Sequence, residues 1–242
     1  RYSYMNKKEG GILVVTEKSK STLQVWQIAR VNLQHNFLPL LLLSAVIMIL
    51  TPILFGTTGL DSKAAAVPLE MLISIIGIIL LVPIFQPEQD DEIKDIVASK
   101  YIDSTYVHLI RVAYSIIGII LLVLAFSLFM FVCGCEITIA LIGGTIADAM
   151  FLGAIGLLTS AITSNMPVSF MIPLLYYVLN LTMKSKLGNI NLFSMMNGNY
   201  QSNIWLFISS VVFIVASILT SPFVSKDLAS LPVFALSFNK TL

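Results

Sequence analysis

The sequence predicts an all-α, polytopic membrane protein, and three observations carry that expectation. Six long apolar segments occupy about 37–55, 64–85, 109–133, 137–163, 167–183 and 204–224, each long enough to cross the ~30 Å hydrocarbon core of a bilayer as a helix. Hydrophobic residues make up 57% of the 242 and charged residues 11%, against about 25% charged in a typical soluble domain. None of the connecting segments is long enough to form an enzyme domain. The chain is therefore read as a polar lead (1–20), a six-helix membrane domain (21–224) and a tail (225–242).

Orientation follows from the placement of Lys and Arg. With the N-terminus inside, 11 of the 14 basic residues fall on the cytoplasmic side and Lys63, Lys184 and Lys186 fall outside. Both termini are expected in the cytoplasm of a cell (plasma) membrane protein. No cleavable signal peptide is expected, because the first apolar segment begins only at Phe37 behind a polar, basic stretch. The net charge of +1 and the lack of a basic patch beyond that stretch argue against a nucleic-acid partner.

Before the first span, residues 21–36 read as an amphipathic helix with Leu23, Trp26, Ala29, Leu33 and Phe37 on one side. Trp26 and Arg30 suit a helix at headgroup level; a short strand pair over 11–28 is the alternative. In the second span, Glu70 lies about two turns in and is expected to be an interfacial acid that reaches water. After it, Pro87 and the acids Glu88, Asp90, Asp91 and Glu92 suit a helix N-terminus. Ile93, Ile96, Val97 and Tyr101 then form one apolar stripe. The acidic polar face is a poor match to an anionic cytoplasmic leaflet, so a protein partner is favoured over docking on the membrane.

The third span ends at Cys133-Gly134-Cys135-Glu136, read as a structural turn because metal sites usually need four ligands and no His is near. Asp148 lies near the midpoint of the fourth span, among Gly143, Gly144, Ala149, Gly153, Gly156, Ser160 and Ser164. A charged Asp there is costly and has no Lys or Arg at its depth. It is expected to be uncharged and hydrogen-bonded within the bundle or to face a watery cavity, in a packing role; proton coupling is the alternative. Pro167 and Pro173 predict a kink in the fifth span. In the loop before the sixth span, Leu192 to Met196 either dips back into the membrane under protein shelter or packs on the helix ends. Pro222 is expected to stop the sixth helix, and 228–238 to lie on the inner surface. His35 and His108 read as residues at cytoplasmic helix ends.

Motifs for chemistry are missing. There is no GxxxxGK[ST], HExxH or GxSxG, and no nucleophile is paired with a base. No catalytic, cofactor or metal residue is assigned, and the chain is not expected to be an enzyme.

The order of parts over about 21–224 resembles the ABC-2 type permeases, the membrane subunits of bacterial ATP-binding-cassette exporters. Four pieces carry the likeness: the Gly-containing apolar helix from Phe151 through Ser164 with its polar turn at Asn165, the acid-rich loop from Glu88 to Arg111, the amphipathic helix before the first span, and the long loop before the last. The resemblance implies that the N-terminal helix is a connecting helix. It implies that Glu92, Ile93, Ile96, Val97 and Tyr101 belong to a coupling helix seated on a separate ATPase subunit. A second permease chain, as a homodimer, would complete the path. ATP and Mg would be bound by the ATPase and none by this chain. The cargo would be an amphipathic or hydrophobic peptide, drug or lipid. A self-contained channel, scramblase or secondary carrier using Asp148 is the competing expectation.

Overall fold

The structure, a computed structural model, describes residues 37–88, 104–183 and 190–230. The chain divides into two units, Arg1–Leu38 and Pro39–Leu242, and the second holds the helical bundle. All regular structure among the described residues is helical, and six helices are long and apolar enough to cross a membrane. The expected connecting helix with Trp26 and Arg30, and the expected coupling stripe with Glu92, Ile93, Ile96, Val97 and Tyr101, lie outside the described residues, as does His35.

The first span is Leu38–Phe55, the third Ser104–Val132, the fourth Ile139–Thr163 and the fifth Met166–Met183. Their starts and ends follow local chemistry. Asp61 accepts the Ala64 N–H at 3.3 Å to open the second span, and Thr138 accepts the Leu141 N–H at 3.4 Å to open the fourth, each satisfying a donor that has no partner within its helix. The fourth helix closes on Ser164 in the left-handed region (φ 49°), and Asn165 Oδ1 takes the Val168 N–H of the next helix at 3.5 Å. Pro167 falls in the first turn of the fifth helix, where a missing N–H costs little, and the helix continues through Pro173.

The second span, Ser62–Phe85, is interrupted. An α-helix over Ser62–Met71 gives way to a 3-10 turn at Ile73–Ile75, an α segment at Ile76–Leu81 and a 3-10 stretch at Val82–Glu88. The change of pitch comes one turn after Pro68, and the Ser74 hydroxyl donates to the Glu70 carbonyl there.

The sixth helix departs from expectation. It runs from Gln201 to Ser230, straight through Pro222, so the expected stop at Pro222 does not hold. Proline removes one helical N–H, but it does not force an end where neighbouring groups can take up the freed carbonyl.

Helices two and four form the centre. About 78% and 72% of their most apolar windows are buried, against 11% for the first span. Glycine makes the contact possible: a Cβ on Gly77 would sit 1.7 Å from the Ala149 carbonyl oxygen, and one on Gly153 2.4 Å from that of Gly77. The two backbones touch directly, as small-residue packing allows. Gly143, by contrast, faces open space and takes no part. The first span turns Leu42, Val46, Ile49 and Ile53 outward, as a lipid-facing helix must.

Two connections meet at one end of the bundle. Gly59 N–H donates to Cys133 O at 3.2 Å, and Glu136 N–H to Leu60 O at 2.9 Å. Gly134 adopts φ 80°, both cysteines are free, and the Cys135 thiol donates to Thr57 O. Cys133-Gly134-Cys135 forms a tight turn at this end. Successive spans alternate in direction, so 56–61, 133–138 and 190–200 share this end.

Candidate functional site

Polar side chains gather in the half of the bundle nearest that end. Glu70 lies eight residues into the second span and Asp148 nine into the fourth, each about 12–14 Å along its helix from the same end. Asn180, Tyr176 and Tyr177 come from the last two turns of the fifth helix, and Asn203 from the first turn of the sixth.

Glu70 is 1% exposed and does not reach water, contrary to expectation. Backbone donors take water's place: Met195 N–H reaches Oε1 at 2.6 Å and Met196 N–H reaches Oε2 at 3.1 Å. A carboxylate accepting two N–H groups is among the stronger hydrogen-bonded arrangements a protein makes.

Those donors belong to the segment 190–200, which folds into the bundle. Leu192, Phe193 and Met195 are buried, and the first two pack in a core with Ile78, Val82, Phe151, Leu152, Tyr177 and Leu206. Non-helical backbone at this depth needs partners for its polar groups, and side chains supply them. Asn180 Oδ1 accepts the Leu192 N–H at 3.1 Å, while its Nδ2 donates to Tyr176 O at 2.9 Å. The Tyr176 hydroxyl donates to Ile190 O. Ser194 Oγ donates to Asn203 Oδ1 at 3.0 Å, and Asn191 Oδ1 takes the Phe193 N–H at 3.0 Å. Tyr177 ties the fifth span to the second through its hydroxyl and Met71 O at 2.6 Å. Of the two expectations for Leu192–Met196, the sheltered re-entrant path is the one seen.

Asp148 is fully buried, and no donor among the described residues reaches either of its oxygens. The expected hydrogen bond within the bundle is therefore not seen among the described residues. The reason lies in its neighbours. Gly77 and Gly153 bring the second and fourth backbones together without side chains, and at Gly144, one turn from Asp148, the Asn203 Nδ2 and Met195 Sδ fill the space. Asn203 Nδ2 also lacks an acceptor among the described residues.

A second polar junction lies at the opposite end. Arg111 Nη1 donates to Ile84 O at 3.1 Å, and the His108 ring meets Phe85 edge-on at 4.7 Å. His108 is 1% exposed and Arg111 8%. His108 lies near the start of the third helix, as expected, and is packed against the second span there. The two residues fasten the start of the third span to the last turns of the second.

Sequence reasoning found Asp148 and the Leu192–Met196 run but missed Glu70 as its holder. Asn180, an amide inside an apolar span, was the available signal. These features define a six-span helical membrane protein with a polar, re-entrant-capped interior. Comparison with protein-family models, curated proteins and solved structures returned no match.

Proposed function

We propose that this chain is the membrane subunit of an ABC-2 type exporter, which moves an amphipathic or hydrophobic substrate while a separate subunit hydrolyses ATP. One observation carries the reading beyond the resemblance. The end of the second span and the start of the third are clamped together by Arg111 on the Ile84 carbonyl and His108 on Phe85. The second span is also the most buried of the six. A push at that junction would reach the centre of the bundle with little slack. The clamp supports coupling from outside the membrane, and the exporter acts as a pair of such chains in the plasma membrane with termini and ATPases on the cytoplasmic side.

The test is Ile96→Asp with Val97→Asp. Burying such side chains is worth roughly 1.5–3 kcal/mol each, so the pair should abolish co-purification of the ATPase and transport-linked ATP turnover. The bundle should still fold, because these residues lie outside the apolar spans. A double mutant that binds ATPase and exports normally removes the mechanical basis of the reading.

A second reading has its own support. Asp148, fully buried without a donor among the described residues and at the depth of Glu70, suits a proton-coupled carrier working without an ATPase. Complete loss of transport in Asp148→Asn with normal assembly would favour it.

A further inference from the structure

We propose that Glu70 is the latch that seats segment 190–200 in the bundle, and that this segment is a gate able to leave while the six spans stay packed. Calling it a gate for cargo rests on the exporter reading above; the latch itself does not.

The seating is unlike the packing of the spans. The spans are held by long apolar contacts and by the backbone approach of Gly77 to Ala149. Segment 190–200 has only short 3-10 turns and bends. Bonds within it, such as Asn197 N–H to Ser194 O at 3.1 Å and Gly198 N–H to Met195 O at 2.8 Å, keep its shape and would survive its departure. Its attachments to the spans are made by Glu70, Asn180, Tyr176 and Asn203. Among them Glu70 is the carboxylate, and it holds two adjacent N–H groups at once.

The hinge side is also visible. Gly198 adopts φ 75°, a conformation that suits glycine, and it follows the 3-10 turn Met195–Asn197. The exposed Lys63 side chain lies beside Gly198, at the rim of the bundle. Lifting the segment would uncover Glu70, Asn180 and Asn203 together, with Asp148 at a similar depth behind them. That is a polar lining between the second, fourth, fifth and sixth spans, now stoppered by Leu192, Phe193 and Met195. A short irregular segment can open as a unit apart from the helices around it, at the cost of these polar bonds and of uncovering Leu192, Phe193 and Met195.

The experiment uses the full chain in membrane vesicles, with Cys133→Ser and Cys135→Ser as background and Ser194→Cys as reporter. Ser194 is 3% exposed, so a small membrane-impermeant thiol reagent should label it slowly. Glu70→Gln keeps the shape but exchanges one acceptor for a donor facing an N–H group. It should raise the labelling rate about tenfold or more. Glu70→Asp retains the carboxyl group but is one methylene too short to reach both donors, and should fall between the two. Ile119→Ala, which loosens the packing of the third span outside the core that holds Leu192 and Phe193, should leave the rate near the parent value. Equal rates in parent and Glu70→Gln would overturn the latch. So would an equal rise in Ile119→Ala, because the change would then report general loosening. No ATPase is needed for the readout, so failure here is distinct from failure to capture an ATPase.

Discussion

Glu70 and Asp148 are carboxyl groups at nearly the same depth, on the two most buried helices, and their surroundings are opposite. Glu70 has a backbone donor on each oxygen; Asp148 has none among the described residues. The difference comes from what stands opposite each. Glu70 faces irregular backbone, whose N–H groups are free to donate. Asp148 lies on a helix packed by glycine and alanine against another helix, whose N–H groups are already used. In an apolar interior a donor to a carboxyl group must be brought by a non-helical segment or by a polar side chain. The fold brings the first to Glu70 and neither to Asp148. One carboxyl therefore organises its neighbourhood, while the other is tolerated by it.

The comparison breaks most readily at Glu70. Glu70→Ala leaves the Met195 and Met196 N–H groups buried without acceptors and opens a void. A loss of about 2–5 kcal/mol is expected from one to two unsatisfied groups and the missing side chain. Denaturation of the purified chain in detergent measures it. A change below about 1 kcal/mol would mean that the segment does not depend on this carboxylate, and the contrast with Asp148 would collapse.

A smaller effect is expected at the contact that isolates Asp148. Gly77→Ala places a methyl group where the Ala149 carbonyl oxygen now stands, so the second and fourth helices must separate. Overpacking of this kind costs about 1–3 kcal/mol. The separation should also admit water or a donor to Asp148, which faster hydrogen exchange at the amides of 147–150 would reveal. Unchanged exchange with lowered stability would show that glycine packing is not what keeps Asp148 dry.

How much of this was legible in advance follows from the kind of signal each feature leaves. The six spans were readable because twenty-odd apolar residues have few alternatives in water. Asp148 was readable because a charge-bearing side chain interrupts such a run. The Cys133-Gly134-Cys135 turn was readable from its glycine. Glu70 was misread because its partners are backbone amides 125 and 126 positions away, and amides carry no residue signature. The end of the sixth helix was misplaced because Pro222 was weighed by its local effect alone. His108 was readable as a residue near a helix start, but nothing in its own segment shows that Phe85 packs against it.

The smallest effect sharpens the comparison from the other side. Asp148→Asn has no observed hydrogen bond to lose, and its amide can both donate and accept where the carboxyl has no donor. A change in stability within about 1 kcal/mol is expected, well below that of Glu70→Ala, because breaking an interaction costs more than altering a group that makes none. Asp148→Leu should be equally mild or stabilising, since an apolar side chain removes a buried polar group without a partner. Both are read by the same denaturation as Glu70→Ala. Export separates the roles that stability cannot. If Asp148→Asn folds and exports, the carboxyl is not needed for transport and the proton-coupled reading falls. If it folds, assembles and exports nothing, the carboxyl itself is needed, and the proton-coupled carrier becomes the better account of the chain.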